Sequence, residues 1–389
     1  MKAVYIKRAL EKELTRLSAL YSAVVVTGPR QSGKTTLCKN VFPDHHYVNL
    51  EDVGLREQIS LEPKAFLKQY ASGLIMDEIQ QYPELFSYIQ VVVDEMPQAR
   101  FVLTGSSNFA LLAKVTQSLA GRAATLTLLP LALSELDDLT ELTTDHLIRS
   151  GGYPAVWSRN IPANDASRNY YNTYIERDVR QLLNIKDMLR FQTFIRLCAG
   201  RTGSEFNASA LSNETGVAVP TIREWLSVLE ASYVVLRLPP FFRNVGKRLV
   251  KTPKLYFCDT GLACFLLGIE TDDQLATHPL RGALFENLVV LEFYKSQLHR
   301  GKLPNLYFYK DKSQREVDLI REHGSKLHAY EIKSARRFHK SFADNLQYFK
   351  RIAGEDVAST NVIYDGEVNS DFTFNRTLNF RDLPGHPDI

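Results

Sequence analysis

Residues 28–35 read Gly-Pro-Arg-Gln-Ser-Gly-Lys-Thr and constrain the chain more than any other stretch. Two glycines with four residues between them let the backbone wrap until several N–H groups point inward, the geometry needed to surround phosphate oxygens. The loop works only between a strand and the start of a helix, whose N-terminus favours negative charge. The flanks comply: AVVVT (23–27) is a β-branched apolar run and TTLCKNVF (35–42) has helical character. Lys34 is predicted to reach the terminal phosphates and the Thr35 hydroxyl to ligate Mg²⁺. Gly28, Pro29, Arg30, Gln31, Ser32, Gly33, Lys34, Thr35 and Thr36 form the expected nucleotide contact run.

A second apolar run, Leu74-Ile75-Met76, ends in Asp77-Glu78. Paired with the loop, Asp77 is predicted to hold Mg²⁺, and Glu78 to orient the attacking water as general base. The adjacent carboxylates favour water as acceptor over phosphotransfer to another substrate. The strand Phe101–Thr104 runs into Gly-Ser-Ser-Asn, so Ser107 or Asn108 is expected at the γ-phosphate or the water. Helix N-capping is the other reading of the same residues. Arg122, after Gly121, is read as a charge-stabilising arginine acting in its own chain or in a neighbour, or else as a surface residue.

Strands at Ala23–Thr27, His46–Leu50, Gly73–Met76, Phe101–Thr104 and Ala124–Leu129 alternate with helical patterns. That alternation predicts a parallel sheet covered on both faces. Residues 1–133 are expected to be this α/β nucleotide-binding domain, and 134–188 a helical linker or lid. Residues 189–280 have the pattern of a winged helix-turn-helix: three helices, then strands at Tyr233–Leu238 and Lys254–Phe257. Residues 281–389 form an α/β domain, with a helix at Ala283–Leu298, strands at Leu306–Tyr309, Glu316–Ile320 and Leu327–Ile332, and a helix at Ser341–Ile352.

The formal charge of +3 over 389 residues announces no polyanion binder; only a local patch would. Arg243, Lys247, Arg248, Lys251 and Lys254 form such a patch, expected to neutralise phosphates without reading bases. A solvated loop or a docking surface is the competing reading. The helix before the wing carries Arg223 beside Glu224 and Glu230, a poor base reader. Four cysteines without CxxC spacing, no apolar run near ~20 residues and no signal-peptide pattern suggest a cytoplasmic setting.

GPRQSGKTT, LIMDEIQ, FVLTGSSN and LAGR…LLPLALSE, in that order, resemble the AAA-family ATPase domain of a widespread group of prokaryotic ATP-binding proteins. GGYPAV, YIERDV and PKLYFCDTGL resemble that group's C-terminal half, a domain of unknown function. The resemblance implies ATP and Mg²⁺ as cofactors and strengthens the roles of Lys34, Thr35, Asp77 and Glu78.

In the last domain, Glu286 lies on a helix, Asp318 on a strand, and Glu331 and Lys333 on the next strand, sharing a face because strand period is two. Carboxylates suit a hard cation, and a lysine can activate water. This order resembles the PD-(D/E)xK restriction-endonuclease-like superfamily, with Val317-Asp318 in place of the usual Pro-Asp. The resemblance implies a nuclease-like fold that cleaves, or that only binds. The expectation is an Mg²⁺-dependent ATPase coupled to nucleic-acid binding or processing. Its rival is a nucleotide switch that binds a protein partner through an inactive nuclease-like domain. A homo-oligomer is compatible with both, and no membrane partner is expected.

Overall fold

The computed structural model describes residues 4–106, 118–179, 187–242, 252–367, 370–371, 375–384 and 386. The chain forms two compact units. One comprises residues 1–131 with 231–233 and 298–302; the other comprises 132–230, 234–297 and 303–389.

The first unit is built on five parallel strands: β1 (Ala23–Thr27), β2 (His46–Asn49), β3 (Leu74–Asp77), β4 (Phe101–Gly105) and β5 (Ala123–Thr127). Their order is β2-β3-β4-β1-β5. β1 is buried along its whole length, as expected of a strand with parallel partners on both edges and helices on both faces. Its alternate residues feed two cores. Ala23 and Val25 join Leu74, Met76, Phe101 and Leu103 in one core, with Leu85, Phe86 and Ile89 of the helix Leu85–Glu95. Val24 and Val26 join Ile75 and Val102 in the other, with Leu14 of α1 (Glu11–Leu20) and Leu37 and Cys38 of α2 (Lys34–Val41). The order places β4 between β3 and β1, all parallel, so the carboxyl ends of the three share one edge of the sheet, where ligands of open α/β sheets bind.

The second unit carries two further sheets. Three short strands, β6 (Ser204–Glu205), β7 (Val235–Leu238) and β8 (Lys254–Phe257), are antiparallel in the order β6-β8-β7. Helices Met188–Ala199, Ala208–Thr215 and Val219–Ala231 accompany them. Asn207 caps the middle helix by accepting from Ala210 N, and Gly216 ends it at φ +66°. The Gly151-Gly152-Tyr153-Pro154 turn and the Cys258-Asp259-Thr260-Gly261 stretch meet through one carboxylate. Asp259 accepts from Leu262 N, capping the helix Thr260–Leu266, and from Gly152 N. A Cβ on Gly151 would lie 2.4 Å from that carboxylate.

A mixed sheet of six strands completes this unit: β9 (Leu306–Lys310), β10 (Glu316–His323), β11 (Lys326–Lys333), β12 (Val357–Tyr364), β13 (Ser370–Asp371) and β14 (Arg376–Asn379), in the order β13-β14-β12-β11-β10-β9. The hairpin β10–β11 pairs Leu319 with Tyr330, which sets Asp318 opposite Glu331. The sequence reading stops at the helix after β11, whereas the chain continues into β12, parallel to β11 and β14.

Candidate functional site

The loop between β1 and α2 has the backbone its sequence requires. Gly28, Gln31 and Gly33 all have positive φ, at 145°, 63° and 95°. A Cβ on Gly28 would lie 2.1 Å from the Leu128 carbonyl oxygen, so only glycine fits. Lys34 is buried and donates to the carbonyls of Gly28 (3.1 Å) and Pro29 (2.8 Å), folding its ammonium back over the loop. Burial pulls its pKa down to about 8, against the opposing pull of Glu78 and Asp77. The buried Ser32 hydroxyl oxygen has no hydrogen-bond partner among the described residues, an orphan of the kind a ligand fills.

At the end of β3, Asp77 is the centre of a hydroxyl cluster. It accepts from Thr35 (2.8 and 3.1 Å), Tyr47 (2.9 Å) and Thr104. Thr35 and Asp77 therefore converge as oxygen donors, a set that fits Mg²⁺. Glu78, the next residue, adopts φ +54°, a left-handed conformation uncommon for a non-glycine residue. This turns its carboxylate to partners of its own: Ser106 donates to it at 3.2 Å, and Gln80 donates to it and to Ser106. Two adjacent carboxylates thus face two different tasks.

Sequence reasoning brought Lys34, Thr35, Asp77 and Glu78 to one place and missed Tyr47, Gln80, Thr104 and Ser106. The polar end of β4 was the signal, but it was assigned to Ser107 and Asn108, which lie outside the described residues. Arg8 was missed as well. It is 4% exposed, and its guanidinium donates to the carbonyls of Ser32 (2.7 Å) and Leu129 (2.8 Å), tying the phosphate loop to the chain after β5. Of the other contact residues, Arg30 lies 3.8 Å from Glu51, and Thr36 is exposed at the first turn of α2.

Arg122 requires a correction for its own chain. It precedes β5, whose register pairs Ala123 with Ala23, the opposite end of β1 from the loop. There it pairs with Asp94 (3.0 Å).

In the second unit, Glu286, Asp318, Glu331 and Lys333 do assemble, but Lys254 joins them. Lys254 is 2% exposed; its ammonium contacts Glu286 at 3.0 Å and also Glu316. Its expected role as a phosphate contact fails because it is sealed among carboxylates. Arg243, Lys247, Arg248 and Lys251 lie outside the described residues. Lys333 bridges Glu331 (2.6 Å) and Asp318 (3.4 Å), and Ile332 N donates to Asp318 at 2.8 Å. Burial and the nearby Asp318 charge push Glu286 up to about 7 and Glu331 up to about 8. For Lys254 and Lys333, burial acts downward, but the surrounding carboxylates prevail and raise both above the ordinary lysine value. Among the described residues no group of three or more His, Cys, Asp or Glu is arranged to hold a metal ion. The expected nuclease metal set does not fit in this arrangement, because ammonium groups stand between its carboxylates.

Comparison with known proteins matches residues 21–137 to an AAA domain, 141–273 to a domain of unknown function (DUF8612) and 281–382 to another (DUF4143). Uncharacterized protein Rv2008c of Mycobacterium tuberculosis and uncharacterized protein Mb2031c of Mycobacterium bovis are each 34% identical over 326 residues, covering 81% of this chain and 71% of theirs. Uncharacterized protein MJ1544 of Methanocaldococcus jannaschii is 22% identical over 330 residues, covering 76% of this chain and 71% of its own. Among solved structures, the Walker-type ATPase of Pyrococcus abyssi is similar at a TM-score of 0.45 and 13% identity, over 67% of this chain and 96% of that one. Among the described residues no helix is long and apolar enough to cross a membrane.

Proposed function

The chain belongs to the same family as these mycobacterial proteins, with an AAA-type P-loop domain at its head, and from that premise we propose that it is an Mg²⁺-dependent ATP hydrolase whose second unit holds nucleic acid. The divided duty of Asp77 and Glu78 carries the hydrolytic half. Backbone N–H groups of Gly28 and of residues 30–33 surround the phosphates, Pro29 having none to give. Lys34 exchanges its bonds to the Gly28 and Pro29 carbonyls for phosphate oxygens. Thr35 and Asp77 would hold Mg²⁺, which when bound neutralises charge on the phosphates. Glu78, held by Gln80 and Ser106, accepts the proton of the attacking water. Arg122 serves a nucleotide only in a neighbouring copy of the chain.

Phosphate release with Mg²⁺ and ATP tests this. Lys34→Ala abolishes turnover. Glu78→Gln lowers kcat by about 10²–10⁴-fold, the range of a general base, while nucleotide still binds. A Glu78→Gln enzyme as fast as wild type removes the assigned base.

Several features support the nucleic-acid half. The helix–strand–helix–helix–strand–strand succession and the β6-β8-β7 order support the winged-helix reading of 189–280. A groove of about 950 Å³ is lined by Arg223, Arg237 and Lys310, with Glu205 as its one acidic residue among those described. Arg223 has no ion-pair partner among the described residues. The six-stranded mixed sheet supports a nuclease-like fold for 281–389, and its lysine-bridged carboxylates favour holding over cleaving. Anisotropy titrations of labelled single- and double-stranded DNA and RNA, with rising salt, test this half. Binding that weakens with salt and with Arg223→Ala supports it. No binding to any of them transfers the unit to the rival reading, a nucleotide switch with a protein partner.

A further inference from the structure

Two lysines divide the carboxylate cluster of the second unit, buried at Asp318 and Glu331 and partly buried at Glu286 and Glu316, into two bridged sets. Lys254 joins Glu316 to Glu286, and Lys333 joins Asp318 to Glu331. Lys310 extends the first set outward, linking Glu316 (3.5 Å) to Glu205 (3.0 Å), one charge of each sign. Four carboxylates thus face two ammonium groups at the centre, so two negative charges are left over when all are ionised. A divalent cation carries that surplus charge in one particle. One oxygen stands unused: Glu331 Oε2 is buried without a hydrogen-bond partner among the described residues.

The two lysines differ in origin. Lys333 sits on the same strand as Glu331. Lys254 comes from β8, in the three-stranded sheet, and is the cation supplied from outside the six-stranded sheet. Its neighbour Tyr256 on the same strand also donates to Glu286. Both side chains engage the same oxygen of Glu286, and the Lys254 ammonium is compact and strongly hydrated in water, so its near-complete burial is retained only because carboxylates surround it.

We propose that Lys254 is a built-in counter-ion that locks the Glu286–Asp318–Glu331 cluster against divalent cations, and that displacing its ammonium opens a site for one hard cation. The lock is set by the geometry of the cluster alone and holds whether the unit grips nucleic acid or protein. It explains why three carboxylates gathered in one place do not form a metal set: the cation is already present as part of the chain.

Mn²⁺ serves as the probe, followed by electron paramagnetic resonance on the full chain without nucleotide. The variants are Lys254→Met, Lys254→Gln and each combined with Asp318→Asn. Asp77→Asn is included throughout so that the phosphate-loop site does not contribute. With the other residues intact, the chain is expected to bind no Mn²⁺ through Asp318. Lys254→Met and Lys254→Gln are each expected to bind one Mn²⁺ at least tenfold more tightly, and to lose it with Asp318→Asn. Added Mn²⁺ should raise the thermal midpoint of the Lys254 variants and leave that of the parent unchanged. Asp318-dependent Mn²⁺ binding in the parent, as tight as in the variants, overturns the lock; this arm needs no change at Lys254. A folded Lys254 variant that gains no Mn²⁺ also overturns it.

Discussion

The Thr35 hydroxyl donates to both carboxylate oxygens of Asp77, at 3.1 and 2.8 Å, across 42 positions of sequence. This contact joins the first turn of α2 to the end of β3 and leaves two oxygen donors side by side at the phosphate loop. If these are the Mg²⁺ donors, Asp77→Asn removes the anionic one while keeping hydrogen-bonding shape. The Mg²⁺ concentration giving half-maximal ATP hydrolysis should then rise at least about 10-fold, since disturbing even an outer partner of a metal ligand costs about 10–100-fold. Turnover measured against Mg²⁺ checks it. An unchanged midpoint would remove Asp77 from the metal.

Lys34 links nucleotide binding to protons. Burial holds its pKa near 8, below its ordinary 10.5. Between those values the folded empty chain binds fewer protons than the unfolded chain, so this group's contribution to stability rises with pH in that window. Phosphate oxygens favour the ammonium, so ATP binding at pH 8 should take up about half a proton. Calorimetry in buffers of different ionisation enthalpy measures the uptake. The dependence on buffer should vanish in Lys34→Ala, and a wild type without it contradicts the assignment.

The parts of this site that were legible in sequence lie in contiguous runs. Residues 28–35 announce themselves because loop, lysine and threonine must be adjacent, and Asp77-Glu78 because an apolar strand ends in two acids. Tyr47, Thr104 and Ser106 could not be placed, since they reach Asp77 and Glu78 only through the β2-β3-β4-β1 order, which spacing does not encode. Lys254 was misread for a related reason. Its sequence neighbours are basic, but its strand pairs with β7 and turns the ammonium inward to Glu286. Arg122 follows a helical pattern and a glycine, and only the β1–β5 register reveals which end of the sheet it occupies. The β12 strand, VASTNVIY, mixes small polar residues with apolar ones, and its parallel partners on both sides, rather than its own pattern, define it.

Arg8 should behave as a clamp on the phosphate loop. Its guanidinium spans the carbonyls of Ser32 and Leu129, which a point charge cannot do. Arg8→Ala leaves both carbonyls without that donor and is expected to cost about 2–4 kcal/mol in the first unit. Nucleotide affinity should fall as well, and Arg8→Lys should restore neither fully. Denaturant unfolding and fluorescent-nucleotide titration read the two effects. Full recovery in the lysine variant would show that charge alone suffices.

Two glycines with positive φ should respond differently to alanine. At Gly28 the new Cβ would lie 2.1 Å from the Leu128 carbonyl oxygen, so the loop must move. At Gly121, with φ +76°, nothing lies within 4 Å among the described residues, and backbone strain of about 1–2 kcal/mol remains. Gly28→Ala should therefore abolish nucleotide binding, while Gly121→Ala binds like wild type with a slightly lowered midpoint. Equal losses of binding in both would mean that the close approach at Gly28 is not what shapes the loop.

The carboxylate cluster should make the second unit acid-favouring. Glu286 is pushed up to about 7 and Glu331 up to about 8, both by burial first and by Asp318 second, from an ordinary value of 4.5. Between pH 4.5 and 8 the folded chain then holds protons that the unfolded chain has released. These groups contribute stability that is complete below about pH 4.5 and lost as pH rises through 7 to 8. The unfolding transition of this unit should fall by roughly 4 °C or more between pH 5.5 and 9. Glu331→Gln keeps the shape and removes one titrating group, so its midpoint should change less over the same range and exceed that of wild type at pH 9. A wild-type transition that stays level across this range, or a Glu331→Gln curve parallel to it, would mean that the cluster is already fully ionised at pH 5.5 and holds no protons beyond those of the unfolded chain.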